Sequence, residues 1–434
     1  MTPSAPPFDP TVVRTVHRIS TVIATNVETA GFLRAAGQPP SEFLRLGRLE
    51  KFYLAAEEQL PRVLAYNDLD ASALSFLRGD ETSAAVRRAR LWVFDAQAGP
   101  VVVVLSVDVE CEPKAMIPFL EDTHYDHVTV GSVPLDRFVG TVLEEQQLEL
   151  RESAASLDLS SQRHQMVFTA TPLPEDTVQR IIYRADLDWN PEHSSIQFPG
   201  ELNRRPTSGA AVGAYVSVLA AQQDYVENCA LLSAVQIVAA IGKIRQIRLA
   251  AYDALLRVRE LSAGRATLGT AERRAEIARI HETMAEQELQ LTFGVETACE
   301  IGILVPALRV DSFHRQLVSC AGLTDNISTV SAMLGRLSSV LSAEEASQSS
   351  QDAQMEDLRR LRYGVAVGLL SVIAIPIGIV LSFFGGSYRE VDARRSLFDW
   401  SHYYGVYLTV VGLVLASAAV FLFLFWRERK VLRR

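Results

Sequence analysis

The sequence predicts an α+β cytoplasmic domain, followed by a long-helix bundle and stalk and then a C-terminal two-helix transmembrane hairpin. Three patterns carry this prediction. Residues 1–225 hold β-branched runs separated by turn residues, 226–362 hold long helical patterns with few breakers, and 363–426 hold two uncharged apolar runs, before a basic tail at 427–434.

In the first segment a helical stretch is expected around Ser41 to Ala65. Leu91 to Phe94 and Val101 to Val109 are apolar and β-branched, and Asp95-Ala-Gln-Ala-Gly-Pro joins them, which is a hairpin signal. Val128 to Val130, Met166 to Thr169 and Ile196 to Phe198 are further strand candidates, set apart by Pro, Asp and Ser clusters, so the sheet is expected to be mainly antiparallel.

From Cys229 the pattern becomes helical, first to Leu261 and then, past Ser262-Ala-Gly-Arg, from Thr270 to about Leu304. Ile277, Ile280, Met284, Gln287 and Leu291 follow a three-four rhythm. So do Leu317, Cys320, Thr324, Ile327, Ser331, Leu334, Ser338 and Leu341, and both seams imply coiled bundle packing. Ser342 to Asp357 is polar, contains no Gly or Pro, and fits either a stalk helix or a linker into the first apolar run.

Val365 to Phe384 contains 20 residues without a charge, and about 20 helical residues match a hydrocarbon core of about 30 Å. Tyr404 to Trp426 is a second such run of 23, with Tyr403, Tyr404 and Tyr407 at one end and Trp426 at the other, where interfacial aromatics belong. Arg359, Arg360 and Arg362 precede the first run, and Arg427, Arg429, Lys430, Arg433 and Arg434 follow the second. The loop 385–402 balances Arg389, Arg394 and Arg395 against Glu390, Asp392 and Asp399. The positive-inside rule then places both termini on the cytoplasmic side of the membrane, and the apolar run that a secretory signal needs does not follow Met1.

Within the first run Gly364, Gly368, Ser371, Ile375, Gly378 and Ser382 form a stripe on one helical face, and Gly405, Thr409, Gly412, Ala416 and Ala419 repeat the device in the second. Small residues at this spacing permit close helix packing. The same face could instead line a narrow oligomeric pore, with Gly385, Gly386, Ser387 and Tyr388 at its outer mouth. Pro376 is expected to kink the helix.

Composition narrows the chemistry. The net charge of −9 is spread along the chain, so no basic surface for nucleic acid is expected. Cys111, Cys229, Cys299 and Cys320 stand far apart and read as reduced thiols. Glu121-Asp122-Thr123-His124-Tyr125-Asp126-His127 is the densest polar cluster. Asp122, His124, Asp126 and His127 are its candidate divalent-metal ligands, against the plainer reading of a solvated turn. Asp186-Leu-Asp-Trp-Asn offers oxygen ligands in the same weak sense. No G-x-x-x-x-G-K-[ST], H-E-x-x-H or G-x-S-x-G occurs, and His164 and His193 stand without a partnered nucleophile, so no catalytic residue and no cofactor are assigned.

An N-terminal α+β domain, long helices running toward the membrane, two C-terminal spans with a short outer loop, and the basic tail together resemble the CorA-like metal ion transporters. That family carries Gly-Met-Asn at the outer end of its first span, in a pentamer. Here the position reads Phe384-Gly385-Gly386-Ser387-Tyr388, so only the glycine is retained and the selectivity is not carried over. Size, domain order and GC-rich character also make the chain similar to the CATRA (caspase and TPR repeat-associated) membrane proteins of bacterial conflict systems, which implies a caspase-like or TPR-containing partner. Three readings follow: an oligomeric CorA-like channel or membrane effector gated by its cytoplasmic domain, a membrane-anchored interaction or signalling scaffold, and a divergent divalent-cation (Mg) transporter.

Overall fold

The computed structural model describes residues 15–29, 44–46, 50–55, 60–96, 99–145, 150, 157–185, 195–221, 223–262, 270–300, 310–385 and 399–431. Compactness divides the chain into two units, Met1–Leu341 and Ser342–Arg434. In chain order the first unit contains β1 (Thr15–Glu28), α1 (Glu50–Ala55), β2 (Arg62–Leu69), β3 (Leu74–Phe76), β4 (Ala85–Asp95), β5 (Pro100–Cys111), α2 (Ile117–His124), β6 (Val128–Val130), β7 (Val133–Pro134) and α3 (Leu135–Glu145). There follow β8 (Leu159–Phe168), α4 (Glu175–Tyr183), β9 (Gly209–Val212), β10 (Val216–Ala220), α5 (Asp224–Ser262), α6 (Thr270–Gln290), α7 (Asp311–Cys320) and the start of α8 (Leu323–Gly385).

The principal sheet runs β2-β4-β5-β1-β8-β10-β9, antiparallel except where β8 and β10 lie parallel. A small sheet, β3-β6-β7, stands apart. The expected α+β class and the β4–β5 hairpin are both present, with Leu91 opposite Leu105 and Phe94 opposite Val102. β5 reads as an unbroken apolar run because both of its faces are covered. Val102 and Val104 join the core under the long helices, and Val101, Val103, Leu105, Val107 and Val109 join a second core with α2 and α3.

β1 lies at the centre of the sheet and was not among the expected strands. Its hydroxyls obscure the pattern, but burial satisfies them. Ser20 and Ser106 share a hydrogen bond of 2.7 Å across the ladder, and Thr25 Oγ1 donates to the Val101 carbonyl at 2.8 Å. The helix expected over Ser41 to Ala65 is corrected: among the described residues of that span only Glu50–Ala55 is helical, and Arg62–Leu69 is a strand paired with β4. Pro61 cannot donate a helical bond, and pairing with β4 overrides the helical propensity beyond it. The segment Ile196 to Phe198 contributes one isolated bridge, Gln197 to Val212.

α5 organises the unit. Its first half lies on the sheet, where Gly242 allows the close approach: a Cβ there would stand 2.9 Å from both Ala24 Cβ and Pro100 Cγ. Beside it Lys243 Nζ meets Glu28 Oε1 at 2.6 Å, with both side chains largely buried. The second half presents Ile244, Ile247, Ala251, Ala254, Val258 and Leu261 to Ile277, Ile280, Met284 and Leu291 of α6 and the segment after it, as the heptad reading of that helix expects. α6 itself stops at Gln290, where a π turn (Leu291–Glu296) and a 3-10 turn (Thr297–Glu300) replace the expected α-helix.

The seam drawn through Thr324, Ser331 and Ser338 is also corrected. Thr324 and Ser331 are exposed, while Leu323, Val330, Leu334, Leu337 and Leu341 are buried. Gly322, at φ 61°, ends α7 and lets α8 start with a new phase, so a heptad counted across that break slips.

Asp224–Leu261 is, among the described residues, the helix long and apolar enough to cross a bilayer, yet 78% of its apolar window is buried inside the fold. It is a core helix. The second unit holds the rest of α8, which continues through Pro376 to Gly385, and α9 (Tyr404–Val431).

Candidate functional site

The polar cluster after β5 lies at the C-terminal end of α2. Asp122 is fully buried, and its Oδ2 accepts the backbone N–H groups of Arg78 at 2.7 Å and Gly79 at 2.8 Å. Its Oδ1 lies 3.9 Å from His127 Nδ1. Glu121 pairs with the Arg78 guanidinium. Asp126 adopts φ 60° and takes a bidentate contact from Arg163 at 2.8 and 3.0 Å. The same Arg163 Nη1 donates to the carbonyls of Thr123 and His124, and Gln165 Nε2 donates to the Leu120 carbonyl at 2.7 Å. β8 thus caps the orphan carbonyls of α2.

His124 stands edge-on to Tyr125 at 4.9 Å and to Tyr215 at 6.1 Å. Burial first, and then the Arg184 and Arg163 cations, push its pKa down to about 4. The structure therefore assembles Asp122, His124, Asp126 and His127 into one corner, but it engages both aspartates in folding contacts. Among the described residues no group of three or more His, Cys, Asp or Glu side chains is arranged to hold an ion. Asp122→Ala is expected to destabilise the first unit by about 2–4 kcal/mol, because the buried Gly79 N–H and the partly buried Arg78 N–H lose their acceptor. Millimolar magnesium should leave the wild-type melting temperature unchanged, and thermal denaturation of both proteins with and without the ion is the check.

The second candidate is the apolar part of α8 with α9. Gly364, Ser371, Gly378 and Ser382 are exposed and Gly368 is half-buried; the Ile375 side chain lies outside the described residues. A Cβ on Gly364, Gly378, Gly405 or Gly412 would meet nothing within 4 Å among the described residues. Ser371 Oγ donates to the Val367 carbonyl at 2.9 Å and Thr409 Oγ1 to the Gly405 carbonyl at 2.8 Å, which satisfies both hydroxyls inside their own helix. Around this stripe Val367, Leu370, Ile377 and Leu381 on α8, and Leu408, Val411, Leu415, Leu422 and Phe423 on α9, are exposed.

Gly385 is the last residue of α8, whereas Gly386, Ser387 and Tyr388 lie outside the described residues, as do Asp186 to Asn190 and His193. One residue that the sequence reading passed over joins the aromatic group at the start of α9: Trp400 stacks on Tyr407 at 5.1 Å and meets Tyr404 edge-on at 6.1 Å. The signal was available in kind, since Trp400 stands four residues before the apolar run, within reach of the interfacial aromatics there.

Two buried histidines were also not foreseen. His314 on α7 bonds Ser233 Oγ of α5 through Nδ1 at 2.6 Å and the Ala298 carbonyl through Nε2 at 2.8 Å. His164 on β8 bonds Ser217 Oγ of β10 at 2.8 Å. No pattern in the sequence marks these pairs, because the partners lie 81 and 53 positions away. No family model, curated protein or solved structure matches the chain.

Proposed function

We propose that this protein is an oligomeric membrane channel or membrane effector of CorA-like architecture, in which the N-terminal α+β unit controls a C-terminal two-helix hairpin in a bacterial inner membrane. The observation that carries the reading is the exposure of the second unit's apolar side chains. Leu370, Leu381, Leu415, Leu422 and Phe423 each expose more than 60% of their surface. A surface of that kind needs lipid or further copies of the chain to cover it. The internally satisfied Ser371 and Thr409 hydroxyls and the Trp400, Tyr404 and Tyr407 aromatics are what hydrocarbon and its interface favour.

Gly364 and Gly378 of α8, which have no neighbour at their Cβ positions among the described residues, lie on a face along which several copies could surround an axis. Loss of Met and Asn from the outer motif argues against the magnesium selectivity of the CorA-type family. A caspase-like or TPR-containing protein acting on the first unit remains the partner that the CATRA resemblance implies.

The deciding measurement is the mass of the assembly in nanodiscs, paired with flux of potassium, magnesium and a small dye from vesicles. A ring of several subunits with flux supports a channel, and a monomer or dimer without flux removes it and leaves an anchored scaffold. In a conducting ring, Gly368→Leu with Ser371→Leu is expected to reduce flux at least tenfold at unchanged mass.

A further inference from the structure

Two exposed surfaces of the first unit, formed by separate sets of residues, complement each other. The first is a groove between α5 and α8, formed by two adjoining cavities of about 630 and 560 Å³ that share Met333. Leu249, Tyr252, Leu255 and Val340 give it an apolar floor and rim, and all four are exposed. Arg245, Arg248 and Arg336 border it.

The second surface is the outer side of α6 and its π turn. Glu282, Glu286, Leu289, Phe293 and Glu296 recur at spacings of four, three, four and three, opposite the Ile277, Ile280 and Met284 face that packs inward. Leu289 is 58% and Phe293 70% exposed. Three carboxylates surround the apolar pair, and Gln290 Nε2 donates to Glu286 Oε1 at 3.1 Å. Stripe and groove are alike in length, since Glu282 to Phe293 and Arg245 to Leu255 each cover about 15–17 Å of helix.

We infer that the α6 stripe of one copy docks in the α5–α8 groove of the next copy, apolar pair against apolar floor and glutamates against arginines. The occupant is a second copy of this chain because both halves of the contact, with opposite charge and matched apolar centres, are present on it. Stripe and groove are separate patches, so the contact is head-to-tail, the type that forms a ring where the rotation between copies closes and a filament where it does not. The inference rests on the oligomeric reading above and adds to it the cytoplasmic surface that sets the ring. Charge complementarity also gives the contact a direction, because groove against groove would oppose arginines and stripe against stripe would oppose glutamates.

The test is the nanodisc mass of wild type, Phe293→Ser, Glu286→Arg, Arg248→Glu, and the last two combined in one chain. All substituted side chains are exposed, so far-UV circular dichroism should be unchanged. Expected is a ring for wild type, a shift to smaller species for each single variant, and recovery of the ring in the combined variant. A wild-type ring whose mass none of the singles changes overturns this interface and leaves the oligomeric reading standing. A monomeric wild type overturns that reading, and the interface with it.

Discussion

Replacing Leu415 and Ala374 by aspartate should abolish membrane insertion while leaving the first unit folded. Both side chains are exposed on the isolated chain, Leu415 to 65%. On a water-facing surface such changes cost within about 0.5 kcal/mol and favour solubility. At the centre of a bilayer each aspartate costs roughly 2.5–3.5 kcal/mol, so the pair would cost roughly 5–7 kcal/mol. The two environments therefore predict opposite outcomes for the same substitutions. In membranes washed with alkaline carbonate, wild type is expected in the pellet and the double variant in the supernatant or degraded. Recovery of both proteins from the cytosol at equal yield would show that lipid does not cover these helices.

The second large effect is acid sensitivity of the first unit. His314 is 1% exposed and His164 4% exposed, and burial holds the pKa of each down to about 4, well below the ordinary 6.5. At His314 the Ala298 carbonyl must accept from Nε2–H, so the neutral ring takes the Ser233 hydroxyl proton on Nδ1. Protonation would leave Nδ1–H against that hydroxyl in a dry site, with the Asp311 carboxylate as the charged group that partly opposes the cost. Between pH 6.5 and 4 the unfolded chain binds a proton that the folded chain does not. Each histidine therefore stabilises the fold fully above about 6.5, and that contribution falls away as pH drops toward 4, by at most about 3 kcal/mol.

Glu227 acts in the opposite sense. Burial raises its pKa to about 7 despite the Arg18 guanidinium 3.2 Å away, so its contribution is present below about 4.5 and is lost as pH rises toward 7. The clean readout is thus a difference: melting temperatures from pH 4 to 7.5 for wild type and for His314→Gln, in which the amide can still donate to the Ala298 carbonyl. The variant is expected to melt lower at pH 7.5 and to lose less on acidification. Parallel curves would show that His314 does not carry the acid sensitivity.

Much of the helical part of the fold was legible in advance. α5, α6 and the β4–β5 hairpin follow from apolar periodicity and run length, which neighbours in sequence impose on one another. The strand at the centre of the sheet was not legible, because Ser20, Thr21 and Thr25 look like solvent-facing residues until β5 and β8 cover them. Nor was the seam of α8, because a single glycine at positive φ reset its phase.

By itself the sequence determined where long helices and uncharged runs occur, and which residues form the small-residue stripe, since these are properties of spacing along the chain. Only the tertiary structure decided that α5, long and apolar enough to cross a bilayer, is a core helix of the first unit. It likewise decided that Asp122 and Asp126 hold α2 in place, and that an arginine-bordered groove lies between α5 and α8. The physical reason is the same in each case. Whether an apolar face meets protein or lipid, and whether a carboxylate is engaged or available, depends on partners such as Arg78, Arg163 and Met333, tens of residues away, whose positions no local pattern encodes.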